Sequence, residues 1–202
     1  MPRRVAAALA VLAAALFLSS CSSPAGSSGD GHTGHQHADQ PVITAQPAGY
    51  NADDVAFATT MIPHHQQAVE LSEMAPDRST NAELITLAQQ ISAAQQPEIN
   101  AMKVFLVQWS DGAGNPTSSH AGHGNTMQGM VDAATMTELA ARSGAEFDQL
   151  WLESMISHHQ GAIEMAKAEI ANGDNVDAKA LATNIVTTHE AEIGQMKQML
   201  GG

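Results

Sequence analysis

The sequence predicts an all-α protein, an antiparallel four-helix bundle of the ferritin-like type built from two repeated helical hairpins. The first observation is an internal repeat, in which Met-Ile-Pro-His-His-Gln, beginning at Met61, returns 94 residues later as Met-Ile-Ser-His-His-Gln, beginning at Met155. The second is that helix-capping residues and apolar residues at helical spacing recur, while no alternating strand pattern does. Two hairpins with short inner loops pack as an antiparallel bundle.

The N-terminal residues predict a lipoprotein signal peptide followed by a tether. Basic residues precede an apolar run from Val5 to Leu18, and the Leu-Ser-Ser-Cys sequence ending at Cys21 is typical of a lipoprotein cleavage box. We expect residues 1–20 to be removed, Cys21 to carry a lipid, and residues 21–49, rich in Ser, Gly, Pro and Gln, to be flexible. The protein would then be held to the cell membrane by its lipid, facing outside the cytoplasm, in the periplasm or at the cell surface.

The bundle domain is predicted to span residues 50–202. In repeat one, residues 50–110, Asn51 can cap a first helix that runs to Pro76. The sequence Thr80-Asn81-Ala82-Glu83 fits a capping box for a second helix that ends near Gly112. Repeat one therefore contains one helical hairpin.

Repeat two, residues 135–202, is predicted to add a short helix and a second hairpin. Thr135 with a glutamate three residues later begins the short helix, and Ser143 with the same spacing begins a long one. The long helix ends at Asn172-Gly173, a favourable C-terminal pair. Asn175 can cap the last helix, which continues almost to the end of the chain.

Two segments outside the predicted helices contain histidines. His32, His35 and His37 lie in the tether, and His120 and His123 lie in the linker between the repeats, residues 111–134. They could gather metal ions, or they could be solvated linker residues.

The composition restricts the class of partner. The chain has 21 Asp and Glu residues against 8 Lys and Arg, and Cys21 is its single cysteine. Nucleic acid is not expected, because its binding depends on basic contacts to phosphate. An acidic surface attracts cations, although solubility alone would also account for the charge. One cysteine excludes a disulfide within the chain and a site built from several thiolates.

A helical wheel places polar side chains at the interior of the bundle. At about 100° per residue, the histidines of each repeated motif lie on either side of the apolar stripe that carries the preceding methionine. Glu192 in the last helix, and Glu98 in the second, lie midway along apolar stripes. An unpaired buried carboxylate is costly, so we expect histidines of neighbouring helices to be its partners. Glu70 and Glu164 lie on the opposite side and are expected at the surface.

These interior side chains are candidate metal ligands. Imidazole suits copper, zinc, iron and nickel, whereas thioether sulfur favours copper(I). Copper is therefore the expected metal, with iron or zinc as alternatives. The candidate ligands are His64, His65, His158, His159, Met61, Met155, His189, Glu98, Glu192, Met102 and Met196.

Three other interpretations stay open. A di-iron oxidoreductase would need about four carboxylates with Glu-x-x-His on two helices, whereas this chain offers two inward glutamates and places His189 before Glu192. A partner-binding helical module without a metal is the second alternative. A purely structural polar core is the third.

The repeated motif resembles a known family. Met-Ile-Pro-His-His-Gln-Gln-Ala-Val-Glu and Met-Ile-Ser-His-His-Gln-Gly-Ala-Ile-Glu-Met-Ala, followed by Glu-Ile-x-x-Met, resemble the bacterial family called domain of unknown function 305, over Tyr50 to Leu200. The resemblance implies a ferritin-like bundle in secreted or periplasmic proteins, some of them associated with copper binding and copper tolerance. It implies no general activity. We therefore predict a lipoprotein that binds copper, as copper(I), for sequestration or handover, rather than an enzyme.

Overall fold

The computed structural model describes residues 49–111 and 127–201. The predicted signal peptide, Cys21, nearly all of the tether and the linker histidines lie outside these ranges. Within them all regular structure is helical, and none of the helices is long and apolar enough to cross a membrane. The helices are α1 Ala52–Arg78, α2 Ala82–Asp111, α3 Ala133–Ala141, α4 Gly144–Asn172 and α5 Val176–Gly201.

Most of the predicted helix ends are confirmed. The Asn51 side chain accepts hydrogen bonds from the first-turn backbone of α1, and Ser143 is the N-cap of α4, although its hydroxyl makes no capping bond. Gly173 is the C-cap of α4. The Asn175 side chain accepts backbone N–H groups at the start of α5, as the sequence predicts.

Two predicted caps are wrong. The side chain of Asn81, not Thr80, accepts the N–H groups of Glu83 and Leu84 at the start of α2. Asp132 caps α3, and Thr135 lies inside that helix and donates its N–H to the Asp132 carboxylate at 2.7 Å. In both cases a nearby Asn or Asp is the better N-cap, because its side-chain oxygen reaches the first free N–H groups of the helix.

The four long helices form the predicted bundle of two hairpins. α1 packs on α2, α4 packs on α5, and the hairpins meet mainly through α1 and α4, with a smaller α2–α5 contact. α1 and α4 are antiparallel, since the Asn51 side chain at the start of α1 donates to the carbonyl of Asn172 at the end of α4. Short α3 lies against α4.

The core has two apolar clusters, and every long helix contributes to both. The first contains Leu71, Leu87, Trp151 and Ile193; the second contains Phe57, Trp109, Ala162 and Ile185. On α1, α2 and α5 the residues of the repeated motif and their partners lie between the two sets along the sequence, and on α4 the same order holds except for Ile163, which belongs to the first cluster. The clusters are therefore separated by a polar layer.

Candidate metal centre

Five buried histidines form the centre of this polar layer. α1 contributes two of them, α4 two and α5 one, and each is at most 2 % exposed: His64, His65, His158, His159 and His189. Because adjacent residues in a helix point about 100° apart, each pair reaches the interior on both sides of its helix's apolar stripe.

The imidazoles lie against one another in a continuous series. The ring centroids of His64 and His158 are 3.8 Å apart, and those of His158 and His159 are 6.4 Å apart. His159 is then 4.0 Å from His189, which is 5.7 Å from His65. The series joins both repeats through the middle of the bundle. We call these five residues the histidine layer.

Two carboxylates border the histidine layer from the partner helices. His65 donates from Nε2 to Glu98 Oε2 at 2.8 Å, and the equivalent pair of repeat two, His159 and Glu192, has a distance of 2.7 Å. His189 Nδ1 lies 3.6 Å from the same Glu192 oxygen. The expectation that histidines of neighbouring helices pair with the interior glutamates is therefore confirmed.

The two halves of the layer differ at one interior position. Gln95 in α2 corresponds to His189 in α5, and both side chains are buried. His159, His189 and Glu192 each offer a ligand atom, and these atoms lie within 4.8 Å of one another. In the described part of repeat one no such group of three occurs. The sequence asymmetry thus corresponds to a difference between two half-sites.

Burial keeps three of the rings neutral at physiological pH. It lowers the pKa of His64 to about 4, partly opposed by the hydrogen bond to the Gln128 carbonyl. It also lowers the pKa values of His158 and His189 well below the usual range, with a further contribution from neighbouring histidines. A neutral imidazole keeps a lone pair on one ring nitrogen, which is the form that binds metals.

Six buried ring nitrogens in the layer have no hydrogen-bond partner in the described structure. They are Nδ1 of His64, His65, His159 and His189 and both ring nitrogens of His158. Leaving a buried polar atom without a partner costs about 1–3 kcal/mol. A metal ion bound among them would relieve this cost, so the residues present fit a metal with nitrogen ligands.

The four candidate methionines are fully buried at the edges of the layer. Met61 and Met102, both from repeat one, belong to one apolar cluster, while Met155 and Met196 belong to the other. A separation of one helical turn puts each about 5 Å along its helix axis from the nearest histidine or glutamate of the site. Their packing is explained by the core alone, and a role as soft ligands stays a prediction.

Glu70 and Glu164 lie outside the site. Both are exposed, and Glu164 Oε1 is 3.9 Å from Lys167 Nζ on the same helix. This confirms the helical-wheel expectation for these two residues.

One part of the site was missed by sequence reasoning. Gln128, in the turn before α3, accepts a hydrogen bond from His64 Nε2 through its backbone carbonyl at 3.2 Å. Gln67, one turn from His64, holds the same segment by bonding the backbone of Val131. The signal was present, because Gln67 aligns with Gly161 in the repeat and so marks a second asymmetry.

The family model described as "Domain of unknown function (DUF305)" matches residues 54–200. The chain belongs to this family. A DUF305 protein from Streptomyces coelicolor, predicted to be secreted, has a solved structure with a TM-score of 0.65 and 32% identity, covering 74% of this chain and 92% of its own. No curated protein matches the chain.

A second solved relative of this DUF305 chain is CopM. Its Cu(II)-bound form is 34% identical, covers 72% of this chain and 94% of its own, and has a TM-score of 0.60. Its Cu(I)-bound form is 32% identical over the same shares, with a TM-score of 0.59. Both support the all-helical DUF305 fold described above.

Proposed function

We propose that this protein binds copper in the histidine layer and keeps or hands over the ion outside the cytoplasm. The observation that carries the proposal is the set of six buried ring nitrogens without hydrogen-bond partners, all in one continuous series of imidazoles. Hydrogen bonds would satisfy a purely structural polar core. A neutral imidazole has one N–H and one lone-pair nitrogen, so the six nitrogens of these five rings supply at most five lone pairs, which can bind a metal ion.

The choice of copper rests on the donor set. Neutral imidazoles suit Cu, Zn, Fe and Ni, and thioether sulfur at the borders of the layer favours copper(I). CopM, which shares the fold at about a third identity, has been solved with Cu(II) and with Cu(I). We favour copper(I) as the ion held, with zinc or iron as competing metals for the nitrogen donors.

Within the layer, we assign the principal ligands to the repeated pairs His64, His65, His158 and His159. His189 adds a fifth ring. Glu98 and Glu192 act as ligands or as partners that orient His65 and His159 through Nε2–H, which leaves Nδ1 of those rings for the metal. The four bordering methionines are the proposed soft ligands.

The two half-sites are expected to bind unequally. His159, His189 and Glu192 converge, whereas repeat one offers Gln95 in place of the third ligand. His189→Gln makes repeat two resemble repeat one, and we expect it to weaken copper binding by about 10–100-fold, the range found when a group that supports a metal site is lost. Gln95→His tests the converse by adding a ring to repeat one.

A binding role is favoured over oxidoreductase chemistry. Among the described residues the polar layer contains two carboxylates, Glu98 and Glu192, and each already hydrogen-bonds a histidine. Ferritin-like di-iron sites use about four carboxylates. We therefore propose storage or transfer of the ion, by a protein attached to the cell membrane through a lipid on Cys21.

The decisive experiment measures metal content and stoichiometry of the mature protein. The test variant carries glutamine at His64, His65, His158 and His159, a substitution suggested by Gln95, which is already buried in the layer. The matched control replaces the exposed neighbours Gln66 and Gln160 by alanine. A further variant removes the tether and linker histidines.

We expect the control and the linker variant to retain copper and the four-histidine variant to lose it. Equal copper content in the wild type and the four-histidine variant would refute the site. Oxygen-dependent oxidation of ferrous iron by the wild type would instead favour the di-iron interpretation. If no metal binds and the substitutions only lower the melting temperature, the layer is a structural polar core.

A further inference from the structure

Residues 127–131 form a strap that crosses the bundle over the histidine layer. The strap is folded as a turn, closed by the N–H of Met130 donating to the carbonyl of Met127 at 3.0 Å. It contacts α1 through His64 and Gln67 and α4 through Gly161. These are the two helices that carry the histidine pairs.

Gln67 holds the strap with both ends of its amide. Its Nε2 donates to the carbonyl of Val131, and its Oε1 accepts the N–H of Val131, each at 2.8 Å. Gln67 lies three residues after His64 and therefore on a neighbouring part of the same helix surface. The adjacent Gln66 is exposed, so of the two glutamines it is Gln67 that binds the strap.

The other side of the strap lies close against α4. A Cβ atom on Gly161 would collide with the Gln128 carbonyl and approach Gly129 Cα to 3.0 Å. Gly129 has φ +86°, which L side chains rarely adopt, and a Cβ there would lie 2.6 Å from the Ser157 carbonyl. In the internal repeat Gly161 is the counterpart of Gln67. One repeat thus holds the strap, and the other makes room for it.

The strap reaches the site through the Gln128 carbonyl, which accepts a hydrogen bond from His64 Nε2 at 3.2 Å. This bond fixes the proton on Nε2 and leaves the Nδ1 lone pair of His64 without a hydrogen-bond partner, 0% exposed, next to His158. A partner on the second ring nitrogen orients a metal-binding imidazole. Gln128 and, through it, Gln67 are therefore positioning residues for His64.

We propose that the strap is a gate over the His64–His158 end of the histidine layer, held shut by Gln67, and that its opening limits the exchange of copper. The proposal rests on the proposed copper function. The opposite end of the layer has its own potential opening at Glu98, whose side chain is 17% exposed. Exchange through that end is the competing route that the experiment separates.

The test compares Gln67→Ala with its matched control Gln66→Ala in the full mature chain. Two measurements are made without metal: amide hydrogen exchange of the Val131 N–H, and the rate at which diethyl pyrocarbonate acylates His64, followed by peptide mass spectrometry. A third measures how fast a copper(I) chelator removes copper from the loaded protein. Loss of both Gln67 bonds is expected to raise all three rates about 30-fold, equivalent to about 2 kcal/mol at 1.4 kcal/mol per factor of ten.

The outcomes are separable. If Gln67→Ala matches Gln66→Ala in the metal-free measurements, the strap is not held by Gln67 and the proposal is overturned. If the strap opens but copper leaves at the wild-type rate, the gate is overturned while copper binding stands, and exchange uses the Glu98 end. If the wild type binds no copper, the proposed function fails, and His64 acylation alone then decides whether the strap controls access to the rings.

A second variant guards against misfolding of the first. Gly161→Ala places a methyl group where the Gln128 carbonyl lies and should displace the strap from the side of α4. Its control is Gly194→Ala in α5, where an added Cβ meets nothing within 4 Å. Circular dichroism melts establish that both variants fold, and Gly161→Ala should raise the same three rates while Gly194→Ala should not.

Discussion

Replacing Glu169 by glutamine is expected to remove a pH dependence from the stability of this bundle. Glu169 in α4 and Asp54 in α1 form a carboxyl pair at the end of the bundle where α1 begins, and each is at most 1 % exposed. Burial raises the pKa of Glu169 to about 8, and the charge of the neighbouring Asp54 adds to the rise. Lys179 opposes this effect and Asp53 reinforces it.

Asp54 is the ionised member of the pair. Burial alone would raise its pKa, but hydrogen bonds from the backbone N–H groups of Asn51, Asp174 and Asn175, at 2.6, 3.1 and 2.9 Å, hold it below the usual value. Glu169 therefore carries a proton at neutral pH, beside an ionised Asp54. Through the last two of these bonds Asp54 ties the start of α1 to the loop between α4 and α5.

The sign and size of the effect follow from linkage. A Glu169 pKa raised from 4.5 to about 8 means that the folded state binds more protons than the unfolded state within that interval, so stability falls as pH rises. The contribution is complete below about pH 4.5 and is gone above about pH 8. Between pH 7 and 9 the wild type should lose about 1.4 kcal/mol, a tenfold change in the unfolding equilibrium. Glutamine has nearly the shape of a protonated glutamic acid and cannot ionise in this pH range.

The assay is urea unfolding of metal-free protein at pH 7, 8 and 9, followed by circular dichroism. Glu169→Gln should show a flat profile and be the more stable protein at pH 9. Glu164→Gln, an exposed substitution on the same helix, should retain the wild-type slope. Identical slopes for the wild type and Glu169→Gln would refute the raised pKa of Glu169.

Three further predictions concern acid, a buried indole and the N-terminus. The free energy of unfolding of metal-free protein should fall as pH falls from about 6.5 to 4. His64 alone contributes a loss of about 3 kcal/mol, because burial lowers its pKa to about 4 and the unfolded state binds the proton first; His158 and His189, whose pKa values are also lowered, add to this loss. Urea titrations without such a loss would contradict this prediction. Trp151→Phe removes the buried hydrogen bond, 2.8 Å long, that Nε1–H donates to the Leu71 carbonyl. It should lower the free energy of unfolding, measured with denaturant, by about 1–3 kcal/mol, and Trp109→Phe should lower it less. Cys21→Ala should move the expressed protein from the membrane fraction to the soluble extracytoplasmic fraction, and retention in membranes would exclude a lipid on Cys21.

The helices and the pairing of histidines with glutamates could be predicted because they depend on local periodicity. Glu98 and Glu192 each lie on an apolar stripe, and this pattern, present in both repeats, predicts a histidine partner from a neighbouring helix. The structure identifies the partners as His65 and His159. The errors at Thr80 and Thr135 arose where a capping-box pattern competed with a nearby Asn or Asp. Such competition depends on loop geometry, which spacing does not encode.

The strap and the carboxyl pair could not be predicted in the same way. Gln67 meets Val131, and Asp54 meets Glu169, across the bundle from segments with no shared period. From the sequence alone, Glu169, near the end of α4, would be predicted to lie at the surface. Whether imidazole nitrogens lack partners is also a property of three-dimensional packing, and that observation carries the functional proposal.

The division of the core into two clusters explains why both hairpins are needed in one chain. Each apolar cluster takes residues from all four long helices, so a single hairpin exposes half of both clusters and would have to associate with a second copy. A homodimer of such hairpins places identical residues at both equivalent positions. It could not have glutamine on one side and glycine on the other, as at Gln67 and Gly161, nor Gln95 opposite His189. Because both hairpins belong to one polypeptide, their sequences can differ. The two ends of the histidine layer can therefore be chemically different, and the site is asymmetric.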